Sequence, residues 1–203
     1  MSSLAELVDF SKTSLWASLA AIVFNPTAWN IVARHEYRNK TITRIFGGNA
    51  RNGCYFLAVA IFSAGILRDS LYERALKDQP RQAILPEPLN VIVPALLFIV
   101  GQTFVVTSTW ALGITGTFLG DYFGILMDHR VEGFPFNVLR HPMYVGSTMC
   151  FAAGALWYER PAGLLVTVFV YIVYLIALRF EGPFTDMIYS TRATKSSESK
   201  KEL

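Results

Sequence analysis

From Met143 to Leu178 the chain is almost unbroken apolar sequence with a single polar interruption, Tyr158-Glu159-Arg160-Pro161. That single break constrains the fold more than any other feature. It leaves two runs of roughly 14 and 19 residues, which as helices rise about 21 and 28 Å at about 1.5 Å per residue, against a bilayer core of about 30 Å. The reading is a helical hairpin that crosses, or nearly crosses, a membrane and returns to the side it left. Its open ends carry Arg140-His141-Pro142-Met143-Tyr144-Val145-Gly146 and Glu181-Gly182-Pro183. Arg140, His141 and Glu181 are therefore expected to meet at one membrane face.

Three more apolar runs precede the hairpin. Residues 14–33 carry Asn25-Pro26 in their middle, where a proline removes a helical hydrogen bond and kinks or breaks the helix, so this run either spans or only enters the membrane. Residues 53–67 read as a short span and 68–90 as a mixed-charge loop broken by Pro80, Pro86 and Pro88. Residues 91–112 form the clearest full-length span, with Pro94 near its start. With 53% hydrophobic and only 16% charged residues and a mean hydropathy of +0.38, the chain is too apolar for a soluble domain. The expected fold is all-α: a polytopic membrane protein of four to five helices with a C-terminal helical hairpin. Residues 1–190 are expected to form a single integral membrane domain, followed by a disordered tail over 191–203 that is rich in Ser and Lys.

Several classes are disfavoured. Basic residues cluster at segment ends without interleaved exposed aromatics, which argues against a nucleic-acid partner. Cys54 and Cys150 both sit in apolar runs and read as packed thiols, with no disulfide framework, CxxC pair or metal site. The first ten residues carry Glu6 and Asp9 and no basic run, unlike a cleavable signal peptide. No alternation of strands and helices suggests a Rossmann sheet.

Orientation follows from charge. If each of the five apolar runs crosses, then 34–52, 113–142 and the tail share a side carrying 12 Lys/Arg, against 6 on the other. The positive-inside rule makes the first side, and the C-terminus, cytosolic. The terminal Lys200-Lys201-Glu202-Leu203, read from the cytosol, resembles a dilysine retrieval signal, so the expected location is the endoplasmic reticulum membrane, with a mitochondrial membrane as the alternative. Read from the lumen it is an imperfect Lys-Asp-Glu-Leu address.

The candidate chemistry sits at helix ends. Proline is favoured at the first helical position, so Pro142 puts His141 at the N-cap and leaves the N–H groups of Met143 and Tyr144 without intrahelical partners. With Arg140 beside them these donors suit a carboxylate or phosphate. Glu181 adds an acceptor for an ammonium or a counter-charge for a sulfonium. A molecule with a carboxylate, an ammonium and a positive sulfur satisfies both ends, and S-adenosylmethionine is one. The bland alternative is an Arg140–Glu181 ion pair snorkelling at the interface. A second ambiguity surrounds Gly116, Gly120 and Gly124, spaced every four residues: either a bare helix face for close packing, or room for a cofactor or lipid headgroup.

Arg-His-Pro-x-Tyr-x-Gly followed by Glu-x-Pro-Phe resembles the membrane methyltransferase superfamily that includes isoprenylcysteine carboxyl methyltransferases and phospholipid N-methyltransferases. Residues 112–146, Phe24-Asn25-Pro26, 29–34 and 181–189 are similar to the small phosphatidyl-N-methylethanolamine N-methyltransferase type. That resemblance covers nearly the whole chain. It implies an enzyme that uses S-adenosylmethionine to methylate phosphatidylethanolamine-type headgroups within the bilayer, chiefly the mono- and dimethyl intermediates, giving phosphatidylcholine. It places the cofactor on a Gly-x-Gly in the third span and a Glu-Glu pair after the last. Here the first is Ile99-Val100-Gly101 and the second Glu181-Gly182, so one glycine and one carboxylate are missing and Glu181 carries the ionic contact alone. The cofactor-binding candidates are thus Val100, Gly101, Arg140, His141, Pro142, Tyr144, Gly146, Glu181 and Gly182.

The implied reaction is an in-line displacement by the lipid amine, accelerated largely by alignment. A protonated amine has no lone pair, so a base is required. His141 and Asp121 are the preferred catalytic candidates, with His129 and Glu132 behind them. Trp110, Phe118, Tyr122 and Tyr144 are candidates for cation–π contacts to a methylated ammonium. The rival readings are a membrane carboxyl methyltransferase or an NADPH-dependent sterol reductase on the same hairpin, or a non-enzymatic helical scaffold. Headgroup preference, acyl preference and oligomeric state are not legible in the sequence.

Overall fold

In the computed structural model, which describes residues 4–128 and 131–199 with side chains over 6–128 and 131–191, the stretch after His141 forms the hairpin its sequence implies. Helix α6 (Pro142–Trp157) turns at Tyr158-Glu159-Arg160, with Glu159 at φ 52°, into α7 (Pro161–Ser199). Before them run α1 (Leu4–Leu7), α2 (Thr13–Asn39), α3 (Thr41–Ile45), α4 (Ala50–Asp78) and α5 (Leu89–Thr117), and a 3₁₀ turn at Gly120–Phe123. No strand occurs among the described residues.

Four helical stretches, Thr13–Asn39, Ala50–Asp78, Leu89–Phe123 and Pro161–Thr191, are long and apolar enough to cross a membrane. At 16 residues α6 is shorter, about 24 Å at about 1.5 Å per residue. The outward faces of α4, α5 and α7 are apolar, with Phe62, Ile99, Trp110 and Val168 all exposed, which suits hydrocarbon and not water. This is an all-α polytopic membrane protein.

Two polar belts close the ends of the bundle. At one end Asp9 N–H donates to Gln79 Oε1 at 2.8 Å and Gln79 Nε2 returns a bond to the Asp9 carbonyl at 3.0 Å, while Arg81 pairs with Glu159 at 2.6 Å. Between the belts, Ile22, Tyr72, Leu76, Phe151, Val166 and Val170 form the main apolar core of α2, α4, α6 and α7. The other end gathers the stretches 34–52, 113–128, 131–142 and the region after Phe180, from the three segments that charge counting assigned to one side. There Glu36, fully buried, accepts the N–H of Ile42 at 2.6 Å and of Thr43 at 3.1 Å. It thereby caps α3, whose own N-cap Lys40 has no side-chain bond.

The elements differ from the sequence reading in four places. Helix α2 runs unbroken through Pro26; Asn25 Nδ2 donates to the Ala64 carbonyl at 3.2 Å and ties this part of the helix to α4. Helix α4 continues past Leu67 to Asp78, absorbing the first half of the expected loop, because Tyr72, Ala75 and Leu76 find the core and Glu73 pairs with Lys77 at 2.7 Å. The glycine series is not one helix face: α5 breaks at Gly113 (φ 66°, ψ 178°), Gly120 starts the 3₁₀ turn and Gly124 sits at φ 82°. Finally, α7 does not end near Glu181. It continues through Pro183 to Ser199, and beyond Pro183 no further proline or glycine interrupts it. His129 and Lys200 to Leu203 lie outside the described residues.

Candidate functional site

The N-terminus of α6 is built as the proline implies. Pro142 is the first helical residue, and His141 at the N-cap makes no side-chain cap. Val145 N–H is the first to close on the His141 carbonyl, at 3.2 Å, which leaves the donors of Met143 and Tyr144 outside the helical ladder. One turn in, Tyr144 reaches across to α7 and donates its hydroxyl to Glu181 Oε2 at 2.6 Å. The two open ends of the hairpin therefore meet, as expected, but through a tyrosine. Arg140 is exposed, and among the described residues it makes no ion pair with Glu181.

Neighbouring elements support this junction. Arg34 Nη2 donates to the Phe180 carbonyl at 2.6 Å, and its guanidinium lies 4.6 Å from the centre of the Phe184 ring. Tyr122 stacks on Phe184 at 5.1 Å and 9°. Asp121, delivered by the 3₁₀ turn, accepts from Thr185 Oγ1 at 3.3 Å and from the Tyr122 N–H at 3.1 Å. Thr185 is one helical turn beyond Glu181, so both carboxylates line the same face of α7.

A cavity of about 920 Å³ opens beside the junction. Arg140, His141, Pro142, Tyr144 and Glu181 line one end of it, with Thr117, Phe118 and Trp29. It then descends between α4 (Ile61, Phe62, Ile66) and α5 (Phe98, Val105, Leu112), with α6 and α7 behind. Trp29 Nε1 and Thr117 Oγ1 are buried there without a protein partner. Buried polar groups are normally paired, so unpaired donors on a cavity wall favour a polar ligand. His141 is shifted below the ordinary histidine value, first by burial and then by the Arg140 charge beside it. It is therefore neutral near pH 7 and able to accept a proton.

The remaining candidates stand elsewhere. Gly101 and Gly146 form the crossing of α5 and α6: a Cβ on Gly101 would stand 2.6 Å from the Gly146 carbonyl oxygen, and one on Gly146 would stand 2.5 Å from that of Gly101. Neither lines the cavity, nor do Val100, Gly182 or Asp121. Gly182 has open space where a side chain would project. Glu132 is exposed, and Trp110, 89% exposed, points away from the bundle. Phe118 and Tyr144 line the cavity and Tyr122 is buried beside it. Sequence reasoning missed Arg34, Trp29 and Thr117 at this end. The stretches 29–34 and 112–146 that carry the resemblance contain all three, but only the juxtaposition of α2 and α5 with α7 gives them a place at the site.

The donor set fits the methyl donor that the residues suggested. The α6 start with its free N–H groups, the carboxylate held by a tyrosine, and the unpaired Trp29 and Thr117 groups all belong to residues that line the one cavity.

A family model described as phospholipid methyltransferase matches residues 89–192, which include this junction and most of the cavity's α5, α6 and α7 walls. The chain is similar along its whole length to phosphatidyl-N-methylethanolamine N-methyltransferase of Neurospora crassa, 58% identical over 100% of this chain and 97% of that protein. The protein of the same name in Saccharomyces cerevisiae is 51% identical over 91% of this chain and 89% of its own length. Phosphatidylethanolamine N-methyltransferase of Mus musculus is 44% identical over 96% and 98%. No solved structure matches. The chain belongs to the phospholipid methyltransferase family.

Proposed function

We propose that this protein methylates the amine of phosphatidylethanolamine-type headgroups with S-adenosylmethionine, chiefly the mono- and dimethyl intermediates, yielding phosphatidylcholine. The observation that carries the proposal is one cavity with a polar end at Tyr144, Glu181 and His141 and an apolar body between α4 and α5. A charged cofactor and a lipid chain both require a place, and this cavity offers both in continuity.

When bound, the sulfonium supplies an electrophilic methyl group. The chain's part is to bind, orient and deprotonate. The α6 N-terminal N–H groups of Met143 and Tyr144, with Arg140, would take the donor's carboxylate. Glu181, oriented by Tyr144, would balance its positive charge. His141 at the cavity rim would receive the proton that the lipid amine loses, with Asp121 as the second candidate; both accept without a prior proton loss of their own when neutral and ionised, respectively. Of the remaining cofactor candidates, Gly101 and Gly146 would act through the helix crossing, and Val100 and Gly182 stay as weaker ones. The wider assignment is an endoplasmic reticulum membrane protein with this polar end and the C-terminus toward the cytosol, from the 12-to-6 distribution of basic residues.

The test is direct. Purified protein in mixed micelles receives labelled S-adenosylmethionine with phosphatidylethanolamine, its mono- and dimethyl forms, or a prenyl-cysteine. Label is expected on the phospholipids, most on the methylated ones. Label on prenyl-cysteine alone would replace this reading with a carboxyl methyltransferase.

A further inference from the structure

Halfway along the cavity, α4 turns an arginine inward. Ile61, Gly65, Arg68, Tyr72 and Leu76 follow one another at helical spacing, and all five line the cavity. Arg68 therefore occupies the inward stripe of an apolar helix, with its side chain only 17% exposed. A cation so placed in a membrane-spanning segment is costly, and such residues mark ligand sites unless fully absorbed by structure.

The local bonding does not absorb it. Arg68 Nε and Nη2 both approach a single oxygen of Asp69, at 2.9 and 2.8 Å, and Asp69 itself is 61% exposed. Nη1 donates to the Tyr174 hydroxyl at 2.8 Å, and the guanidinium lies 5.3 Å from the centre of the Phe151 ring. A guanidinium has five N–H groups. Three are used, and one on each Nη remains to donate to the oxygens of a phosphate.

Placement says which anion. The same cavity holds Glu181 at its polar end and Arg68 below it, separated by the rings of Tyr144 and Tyr174, whose centres are 4.9 Å apart. Negative above and positive below match a zwitterion whose amine points toward Glu181 and His141 and whose phosphate lies deeper. The flanking walls are apolar, as two acyl chains need.

We propose that Arg68 is the seat of the substrate's phosphodiester, with Tyr174 holding the guanidinium in place. This rests on the methyltransferase reading and adds how the lipid is recognised: by its phosphate, which a headgroup amine on a neutral lipid would lack.

The test compares two substrates on the full-length protein: a dimethylethanolamine phospholipid, and the same diacylglycerol carrying a dimethylaminoethyl ether in place of the phosphodiester. Wild type is expected to favour the phospholipid strongly. Arg68→Gln should raise the phospholipid KM by about tenfold to a hundredfold, the scale of a lost charged hydrogen bond, leave the methyl-donor KM unchanged, and bring the preference between the two lipids toward one. Arg68→Lys, which keeps the charge, should retain part of the preference and serves as the measured variant if Arg68→Gln does not fold. Equilibrium binding of a fluorescent short-chain phospholipid without methyl donor should weaken by a similar factor. An unchanged lipid preference in both variants, or a loss that falls equally on donor affinity, overturns the assignment. If wild type methylates neither lipid, the reaction assigned above fails, while the binding comparison still decides Arg68.

Discussion

Gly101 divides two explanations of one residue, so its replacement by alanine is informative. The family resemblance gives it to the cofactor, whereas the structure sets it at the α5–α6 crossing, outside the cavity wall. A methyl group there would lie 2.6 Å from the Gly146 carbonyl oxygen, 2.9 Å from Cys150 Sγ and 3.1 Å from Met149 Cβ. The thiol can rotate, but the carbonyl is helical backbone in the second turn of α6, so the helices must separate by the better part of an ångström. Overpacking of this kind costs about 1–3 kcal/mol. For a chain of this size each kcal/mol lowers Tm by about 2–4 °C. Gly101→Ala in detergent should therefore melt several degrees early, and its folded fraction should keep a near-normal KM for S-adenosylmethionine. Gly146→Ala, facing the Gly101 carbonyl at 2.5 Å, should behave alike, and the double variant should cost less than the sum, because the first separation makes room for the second methyl. A Gly101→Ala protein that melts with wild type but needs far more methyl donor would refute the packing argument.

Three further outcomes follow from the geometry. Tyr144→Phe removes the hydrogen bond that orients Glu181 and should weaken methyl-donor affinity by roughly tenfold, measured by equilibrium binding; unchanged affinity would detach Glu181 from that role. Glu36→Ala leaves the half-buried N–H groups of Ile42 and Thr43 without their acceptor, so it should destabilise the protein by about 2 kcal/mol in a thermal melt without altering the lipid preference of the folded fraction. His141 lies below its ordinary value of 6.5, so it accepts a proton at pH 7 and loses that capacity as pH falls through its lowered pKa. The turnover profile should be flat near neutrality with an acid limb below 6.5, and His141→Gln should abolish that limb; persistence of the same limb would pass the role to Asp121.

The sequence by itself determined the class of fold and the meeting of the hairpin's ends. Apolar runs long enough to span a bilayer, one polar break between the last two, and a proline at a helix start leave few alternatives, because helical periodicity and bilayer thickness are local, one-dimensional constraints. They place Arg140, His141 and Glu181 at one face without any structure, while the bond from Tyr144 to Glu181 came only with it. Local signals failed where a distant partner decides the outcome. Pro26 read as a kink or break, yet α2 continues through it with Asn25 bonded to α4. Arg68 read as the edge of a loop because its charge counts against burial when α4 is viewed alone; with Tyr174 and Phe151 packed around it, the same charge is inside. Gly101 and Gly146 show the reverse case, two glycines 45 residues apart by number whose purpose exists only where their backbones cross. Pairing across helices is a property of three-dimensional packing, and only the tertiary structure could supply it.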